Sequence, residues 1–356
     1  MIEIWYQKVT HSEILLVIEC VAFLLDKKGA SCLLFFSCLS DLGLLTATCG
    51  LKGDGSMFES LQTMPCNTDK EHPLWIGDIL PGTIDEIERL AKYRKCRLGI
   101  PTGFTDLDSI LTGLHGGELI VVGARPAMGK TPFALNVVSH TAIQSGKSVA
   151  LFCPELSRNQ TALRILCSAA RTDLQKVRNG EMTDEIRAAL ADSLPIVSSA
   201  PIYIDDTPYL TPSLLSSRCR ELKKENKLDL IVIDYLGLMQ ADEGTGNREQ
   251  SADIICHALK TIASELDVPV LLGSQLARPG KDRNDRYPIL NDLKDPVLER
   301  EADVVLLLHR ECYYDIKPEE HDTCDVIIAK HRDGPLGTVK LAWLPKCCSF
   351  ANLPEK

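Results

Sequence analysis

Residues 119–131 carry the residue types and the spacing needed to hold a polyphosphate. The apolar run 119–122 leads into a loop of small residues and then into Gly129-Lys130-Thr131. A strand, a loop and a helix that starts near Gly-Lys-Thr are the layout of a P-loop. Its backbone N–H groups and the positive end of the helix together favour bound phosphate. The predicted nucleotide-binding residues are Gly123, Ala124, Arg125, Pro126, Ala127, Met128, Gly129, Lys130, Thr131 and Pro132.

Two positions in this motif depart from the usual pattern. Ala124 stands where the first glycine is expected, so the backbone there must tolerate a methyl group. Pro132 has no N–H, although the N–H after the Ser/Thr commonly faces the α-phosphate. A lone Gly-Lys-Thr is common in ordinary loops, but the flanking strand and helix patterns favour a nucleotide site. Lys130 is expected to reach the β- and γ-phosphates of ATP, and Thr131 to offer its hydroxyl to Mg²⁺.

A second predicted magnesium residue is Asp234, which ends the apolar run 230–233. Open α/β sheets bind ligands at the carboxyl ends of their parallel strands. An aspartate at such a place is otherwise usually a cap or a turn residue. Because a P-loop lies upstream, we interpret Asp234 as the carboxylate that supports the metal, together with Thr131.

The carboxylate that polarises the attacking water must come from elsewhere, because Tyr235 and not a glutamate follows this aspartate. Glu155 is the predicted base. It ends the apolar run 149–153, which is expected to neighbour the P-loop strand in the sheet. The alternative role for Glu155, capping the next helix, is already filled by Ser157 and Gln160, which form a capping box.

Three further polar residues follow apolar strands. Gln275 ends the run 268–273 in a Gly-Ser-Gln sequence, and its amide is suited to sensing the γ-phosphate; the alternative is a surface glutamine in a turn. Lys330 and Arg332 are two residues apart on a strand, so their side chains point the same way. Such a pair could stabilise charge in a phosphoryl-transfer transition state, and the alternative is a solvated hairpin.

Two polar segments are predicted loops. Residues 278–286 carry four cations and no apolar anchor, and they could contact a phosphate backbone. No aromatic residue is interleaved except Tyr287 at the end, which disfavours base stacking. Residues 240–247, with two glycines, form the second loop.

From Gly99 onward, apolar strands alternate with helical patterns, which predicts a mostly parallel sheet flanked by helices. Helices are expected at 130–144 and 251–265. The predicted strands are 119–123, 148–153, 202–205, 229–233, 268–273, 303–308 and 324–330, with a further strand at 338–343 after a turn.

A helix over 83–95 is predicted outside this sheet. Thr83 and Glu86 match a capping box, acids crowd its start and bases its end. Its narrow apolar stripe needs a partner surface. That surface is either its own domain or a neighbouring subunit.

The remaining chain is predicted to contain an apolar, cysteine-rich region at 1–70 and a linker at 71–98, before the main domain at 99–356. The sequence contains no uninterrupted apolar stretch of about 20 residues, so no membrane-spanning helix is predicted. Two buried helices of a small domain are favoured over a membrane hairpin for the first region. The net charge of −10 argues against a surface that coats nucleic acid everywhere, but not against a local basic channel. The fourteen cysteines show no Cys-x-x-Cys spacing, so we expect reduced thiols in the cytoplasm, many of them buried.

Over residues 76–352 the chain resembles the helicase domain of DnaB-type replicative helicases, a RecA-like hexameric family. The resemblance rests on several motifs in the same order: residues 99–108 (Gly-Ile-Pro-Thr-Gly-Phe-Thr-Asp-Leu-Asp), the P-loop, and residues 230–240, 268–276, 302–314 and 327–339. It implies ATP- and Mg²⁺-dependent 5′ to 3′ translocation on single-stranded DNA and unwinding of forked DNA by a homohexamer. It also implies a primase and a helicase loader as partners.

Position by position, the resemblance assigns phosphate and metal binding to Lys130 and Thr131. It assigns water activation to Glu155, metal support to Asp234 and γ-phosphate sensing to Gln275. Lys330 and Arg332 match the cations that reach the next subunit's nucleotide, and residues 83–95 match the helix that docks on a neighbour.

Three departures distinguish this chain from the family. The family usually has Ala at the position of Pro132. Its Arg-Glu-Ser-Gly segment, which contributes to DNA contact, corresponds to the shorter Lys294-Asp295-Pro296. Residues 1–70 do not resemble the family's helical N-terminal collar. Two alternatives to a helicase therefore remain: a RecA-like ATPase that remodels DNA or protein, and a nucleotide-binding module that joins a ring without unwinding.

Overall fold

The computed structural model describes residues 75–92, 99–242, 248–277, 286–313 and 322–354. The predicted apolar region 1–70 lies outside the described residues. So do most of the two predicted polar loops, 278–285 and 243–247.

The described chain alternates helices and strands as the sequence predicts. The helices are α1 (Ile76–Lys92), α2 (Thr105–Leu111), α3 (Lys130–Ser139), α4 (Arg158–Ala169), α5 (Leu174–Arg178), α6 (Asp184–Ser199), α7 (Pro212–Lys224), α8 (Arg248–Leu266) and α9 (Val297–Glu301). The strands are β1 (Leu119–Ala124), β2 (Val149–Phe152), β3 (Ile202–Asp205), β4 (Leu230–Ile233), β5 (Val270–Gln275), β6 (Val304–His309), β7 (Thr323–His331), β8 (Gly337–Leu344) and β9 (Ser349–Asn352). None of the described helices is both long enough and apolar enough to cross a membrane.

These strands form one sheet in the order β3-β2-β4-β5-β1-β6-β7-β8-β9. The first six are parallel, and β7, β8 and β9 continue the sheet as an antiparallel meander. A mostly parallel sheet flanked by helices confirms the predicted fold class. The last strand was not predicted, since four residues are too few to show a clear alternation.

The central strands are buried on both faces, as parallel strands covered by helices must be. Along β1, Ile120 and Val122 pack in the core on one side with Phe133 of α3. Leu119 and Val121 pack on the other side in the core built around α8. The strand that leads into the P-loop is therefore held rigidly between two apolar layers.

The predicted neighbour relation between the P-loop strand and the Glu155 strand is wrong. In the sheet, β4 and β5 lie between β1 and β2. The chain passes from β1 to β2 across two positions in the sheet. These positions are occupied by β4 and β5, which come later in the sequence. A pattern of apolar runs shows the strands but not the order in which they pair.

The predicted helix at 83–95 begins earlier than expected, because α1 starts at Ile76 and runs through Pro81 to Lys92. Thr83 does not act as an N-cap. Its hydroxyl donates back to the carbonyl of Ile79 at 3.2 Å, a bond typical of a residue inside a helix.

The described cysteines are all free thiols, and several of them lie in the core. Burial raises the pKa of Cys219, Cys256 and Cys324 to about 12. These side chains behave as small apolar groups, as expected from the sequence.

Candidate nucleotide site

The loop between β1 and α3 has the shape of a P-loop, and its strained positions differ from those the sequence suggested. Ala124 is the last residue of β1 and pairs with Gln275 in the parallel ladder, so its methyl group fits without difficulty. The left-handed positions are Ala127, with φ 65°, and Gly129, with φ 102°. A Cβ on Gly129 would lie 2.6 Å from the ring of Phe350. Glycine is therefore required there twice, by its backbone angle and by its close neighbour.

Helix α3 begins directly after this glycine, and Pro132 lies in its first turn. The first intrahelical bond of this turn runs from the N–H of Phe133 to the carbonyl of Gly129, at 2.9 Å. N–H groups at the start of a helix have no partner within the helix. The proline therefore costs the helix no hydrogen bond and leaves the loop with one N–H donor fewer.

Asp234 connects Thr131, the other predicted metal residue, with the P-loop lysine. Its carboxylate accepts from the ammonium of Lys130 and from the hydroxyl of Thr131. The side chains of Lys130 and Asp234 are 11% and 4% exposed, so this ion pair is nearly removed from water. Lys130 also lies 4.0 Å from the ring centre of Tyr235, a cation–π contact. The residue that replaces the expected glutamate thus covers the lysine.

Space for this cluster depends on Gly273 of β5. A Cβ at this position would lie 3.0 Å from a carboxylate oxygen of Asp234 and 3.2 Å from the side chain of Lys130. Any larger residue there would push the pair apart. In the Gly-Ser-Gln sequence, Gly273 leaves room for the ion pair, and Gln275 lines the adjacent cavity.

A cavity of about 340 Å³ opens beside this cluster. Eight of the ten predicted nucleotide-binding residues line it, and Gly123 and Met128 do not. Gly123 lies within β1, and Met128 is buried in the core. Glu155 and Gln275 reach the cavity from the loop after β2 and from the end of β5. The predicted base and the predicted sensor therefore face the P-loop from one side of the sheet.

Three residues that line the cavity were not singled out from the sequence, and one of them is Leu156, next to Glu155. Arg164 comes from α4, and Trp343 comes from β8. The guanidinium of Arg310 lies 4.4 Å from the Trp343 ring centre and donates to the carbonyl of Ala127 at 3.4 Å. Neither an arginine within the helix α4, such as Arg164, nor a tryptophan in the antiparallel strands, such as Trp343, is marked in the sequence as a cavity-lining residue.

The two predicted trans-acting cations lie at the opposite end of the sheet from this cavity. Arg332 pairs with Asp303 at 2.7 Å, and Lys330 donates to the carbonyl of Glu299 at 2.7 Å. Burial lowers the pKa of Lys330, and the charge of Arg332 lowers it further. Asp303 also accepts from the N–H of Leu119, at the start of β1. The length of β1, about 16 Å at the usual strand rise, thus separates Arg332 from the chain's own P-loop.

Comparison with known proteins identifies the family. Residues 99–352 match the model of the DnaB-like helicase C terminal domain. The chain belongs to this family. It is 41% identical over 283 residues to the replicative DNA helicase DnaC of Bacillus subtilis and, over the same length, to the replicative DNA helicase DnaB of Geobacillus stearothermophilus. Each alignment covers 79% of this chain and 62% of the relative, so the chain spans less than two thirds of these DnaB-like proteins.

Solved structures agree with the family assignment. One of them, an isolated ATPase domain, is 32% identical with a TM-score of 0.75, and the match covers 80% of this chain and 100% of that one. A DnaB-like replicative helicase, solved in a study of its interactions with primase, is 33% identical with a TM-score of 0.72; 80% of this chain and 68% of that one are covered. The DnaB-like family fixes the RecA-like fold of the sheet and its P-loop.

Proposed function

We propose that this chain is the motor of a replicative DNA helicase, a homohexamer that uses ATP and Mg²⁺ to move 5′ to 3′ along single-stranded DNA and to unwind forked duplexes in the cytoplasm. The observation that carries the proposal is the meeting of Lys130, Thr131 and Asp234 beside a cavity that Glu155 and Gln275 also line. Membership of the DnaB-like family and the similarity to named replicative helicases support it.

In this proposal each polar side chain has one task. Backbone N–H groups of the P-loop and Lys130 hold the β- and γ-phosphates, and Glu155 accepts a proton from the attacking water. Gln275 donates its amide to the γ-phosphate and loses that bond after hydrolysis.

The hydroxyl of Thr131 and the carboxylate of Asp234 are the hard oxygen donors that suit Mg²⁺, and they already lie within hydrogen-bonding distance of each other. A magnesium ion held there would neutralise charge on the β- and γ-phosphates.

A neighbouring subunit completes the site in this proposal. Because Arg332 lies beyond the start of β1, it serves the nucleotide of the next subunit and not its own. Helix α1 supports the same assembly, since four of its apolar residues are about half exposed: Ile79, Leu80, Ile84 and Ile87. Helix α6 exposes Leu194 and Ile196 and offers an apolar surface to receive α1 from a neighbour. A primase and a helicase loader are the further partners we propose for the ring.

Strand displacement tests the proposal directly. Duplexes in which only the 5′ arm or only the 3′ arm of the fork is single-stranded are incubated with protein, ATP and Mg²⁺. Unwinding is followed by gel electrophoresis. We expect unwinding only with the 5′ tail, and none with Lys130→Ala protein, which controls for contaminating helicases. ATP hydrolysis without strand displacement would support a remodelling ATPase instead, and absence of both would support a nucleotide-binding ring module.

A further inference from the structure

The loop that carries Glu155 is fastened at both ends to the carboxyl end of the edge strand β3. At its start, the N–H of Cys153 donates to the carbonyl of Asp205, the last residue of β3, at 2.8 Å. At its end, Arg158 donates to the carboxylate of Asp206 twice, from its backbone N–H at 3.0 Å and from its side-chain Nε at 2.6 Å. Two consecutive residues of one strand end therefore hold the two ends of this loop.

Within the loop, the position of Glu155 depends on the backbone. Among the described residues, none forms a hydrogen bond or an ion pair with the Glu155 side chain. The preceding Pro154 has a fixed φ and no N–H. The N–H of Leu156 closes a turn on the carbonyl of Cys153 at 3.2 Å. In so short and restricted a loop, a shift of either end moves the Glu155 carboxylate in the nucleotide cavity.

The capping box of α4 does not replace the contact with Asp206. Ser157 accepts from the N–H of Gln160 at 3.3 Å, and the Gln160 side chain accepts from the N–H of Ser157 at 3.1 Å. The N–H of Arg158 has no partner within the helix and is satisfied by Asp206 instead. The two bonds from Arg158, with the side-chain bond as the larger cause, lower the pKa of Asp206. The carboxylate is therefore charged at neutral pH.

The two adjacent aspartates hold different helices. Asp205 accepts from the guanidinium of Arg218 in α7 and from the N–H of Thr207. Asp206 binds the first turn of α4 through Arg158. The Arg158 and Asp206 side chains are 66% and 25% exposed, and ion pairs at the surface contribute little to stability. Removal of this pair is therefore expected to displace the loop without unfolding the protein.

We propose that Asp206 is a positioning residue that holds the first turn of α4 and thereby places the Glu155 carboxylate for its reaction with water. The proposal rests on the proposed function in that Glu155 is the base. A displacement of about 1 Å can lower a rate by about 10²-fold. The P-loop holds the nucleotide from a different strand, so Asp206 should affect kcat and not nucleotide affinity.

Steady-state ATPase assays and titration with a fluorescent ADP analogue test this role. Asp206→Ala should lower kcat by about 10–100-fold and leave the KM for ATP and the ADP affinity within about twofold. Asp206→Asn keeps an oxygen that accepts from the Arg158 N–H, so its kcat should lie between those of the parent and of the alanine variant. Arg158→Ala keeps the backbone N–H bond and should have a smaller effect than Asp206→Ala.

The matched control lies at the other end of β2, the strand that leads to Glu155. There the carboxylate of Asp229 accepts from the N–H of Ser148 at 2.8 Å and pairs with Lys147 at 3.3 Å. Asp229→Ala removes the same kind of contact at the amino end and should leave kcat unchanged. An equal loss of kcat in the Asp229 and Asp206 variants would overturn the inference. A parallel loss of kcat and ADP binding in Asp206→Ala would do the same, because it indicates a merely structural role.

Hydrogen exchange tests the contact without relying on activity. The peptide that spans residues 153–162 is followed in the parent, in Asp206→Ala and in Asp229→Ala, without nucleotide or DNA. We expect faster exchange in Asp206→Ala alone. Unchanged exchange in that variant overturns the inference, since the loop would then be held by other contacts.

The variant Glu155→Gln separates failure of the inference from failure of the proposed function. Normal turnover in Glu155→Gln would remove the base from the proposed function, and this inference with it. A slow Glu155→Gln beside a parent-like Asp206→Ala would overturn the inference alone. If Asp206 acts through Glu155, the double variant Glu155→Gln/Asp206→Ala should be no slower than Glu155→Gln. A further loss of the full size seen in Asp206→Ala would show that the two residues act independently and would also overturn the inference.

Discussion

The two ends of the parallel sheet each hold a buried aspartate that binds a lysine. Asp234, 3% exposed, pairs with Lys130 at the carboxyl end, and Asp303, 4% exposed, pairs with Lys260 at the amino end. Both carboxylates are buried and paired with a lysine, but their surroundings differ. The partners of Asp234 border an open cavity. Asp303 accepts from the N–H of Leu119 at the start of β1 and pairs with Lys260 and Arg332. A buried ion pair marks a reactive site only where its partners can be exchanged for a ligand.

The largest expected effect is a loss of ATP turnover on substitution of Glu155, at the carboxyl end of the sheet, but not of Glu118, at the amino end. Glu155→Gln should reduce ATP turnover by about 10²–10⁴-fold, because the amide keeps the shape of the side chain and loses its basicity. Binding of a fluorescent ADP analogue should stay nearly unchanged. Glu118→Gln is the matched control at the amino end, where burial raises the pKa of the carboxyl. Near-normal turnover in Glu155→Gln would remove this residue from the mechanism.

The aspartates themselves should respond in opposite ways. Asp303→Asn removes the acceptor of the Leu119 N–H and the counter-charge of two cations, so it should destabilise the sheet. Because Lys260 and Arg332 are 24% and 53% exposed, the loss should be smaller than the roughly 3–5 kcal/mol of a fully buried pair. Asp234→Asn should stop turnover, because it removes the carboxylate that supports the metal in the proposed site. Urea unfolding and ATPase assays on both variants check this. Normal turnover in Asp234→Asn, or unchanged stability in Asp303→Asn, would contradict this distinction between the two aspartates.

A mixture of two inactive proteins tests whether the amino end serves a neighbour. Arg332→Ala and Lys130→Ala proteins should each lack activity. An equal mixture should regain some, because about a quarter of the interfaces in a random ring join an intact Arg332 to an intact P-loop. Fluorescence energy transfer between labelled subunits establishes that they exchange. An inactive mixture in which exchange is proven would show that the arginine does not act in trans.

The smallest expected effect concerns the missing N–H at Pro132. A hydrogen bond to a charged oxygen contributes roughly 1.5–3 kcal/mol. Pro132→Ala should therefore tighten ATP and ADP together, by up to about tenfold if half of that energy is recovered. Pro212→Ala is the control, because this proline also lies in a first helical turn, at the start of α7. Equal or weaker nucleotide binding by Pro132→Ala would mean that the donor is not limiting.

The sequence predicted the individual elements and the motif residues better than their arrangement. All the predicted strands exist, with ends that match or are shifted by at most two residues, because long apolar runs between polar turns leave little choice. The assembly of Lys130, Thr131 and Asp234 followed from the rule that ligands bind at carboxyl ends of parallel strands.

Arrangement depends on contacts between residues far apart in sequence, and there the predictions were weaker. The pairing order of β1 and β2 was wrong, and the earlier start of α1 was missed because the capping-box pair Thr83 and Glu86 suggested a later one. Arg125 was predicted to bind nucleotide, and its turn towards Arg286 depends on a segment 161 residues away. The role of Trp343 was equally invisible, since nothing local in β8 indicates the P-loop.

The close approach of β9 to the P-loop also bears on how the chain acquires its site during synthesis. The N–H of Phe350 donates to Asn136 of α3 at 2.7 Å across 214 residues, and the same ring lies against Gly129. Domains generally fold from the N-terminus as the chain emerges. While β9 is still inside the ribosome, β1 and α3 lack the ring that packs against the P-loop glycine. A nascent chain therefore presents this glycine without its packing partner until β9 has emerged.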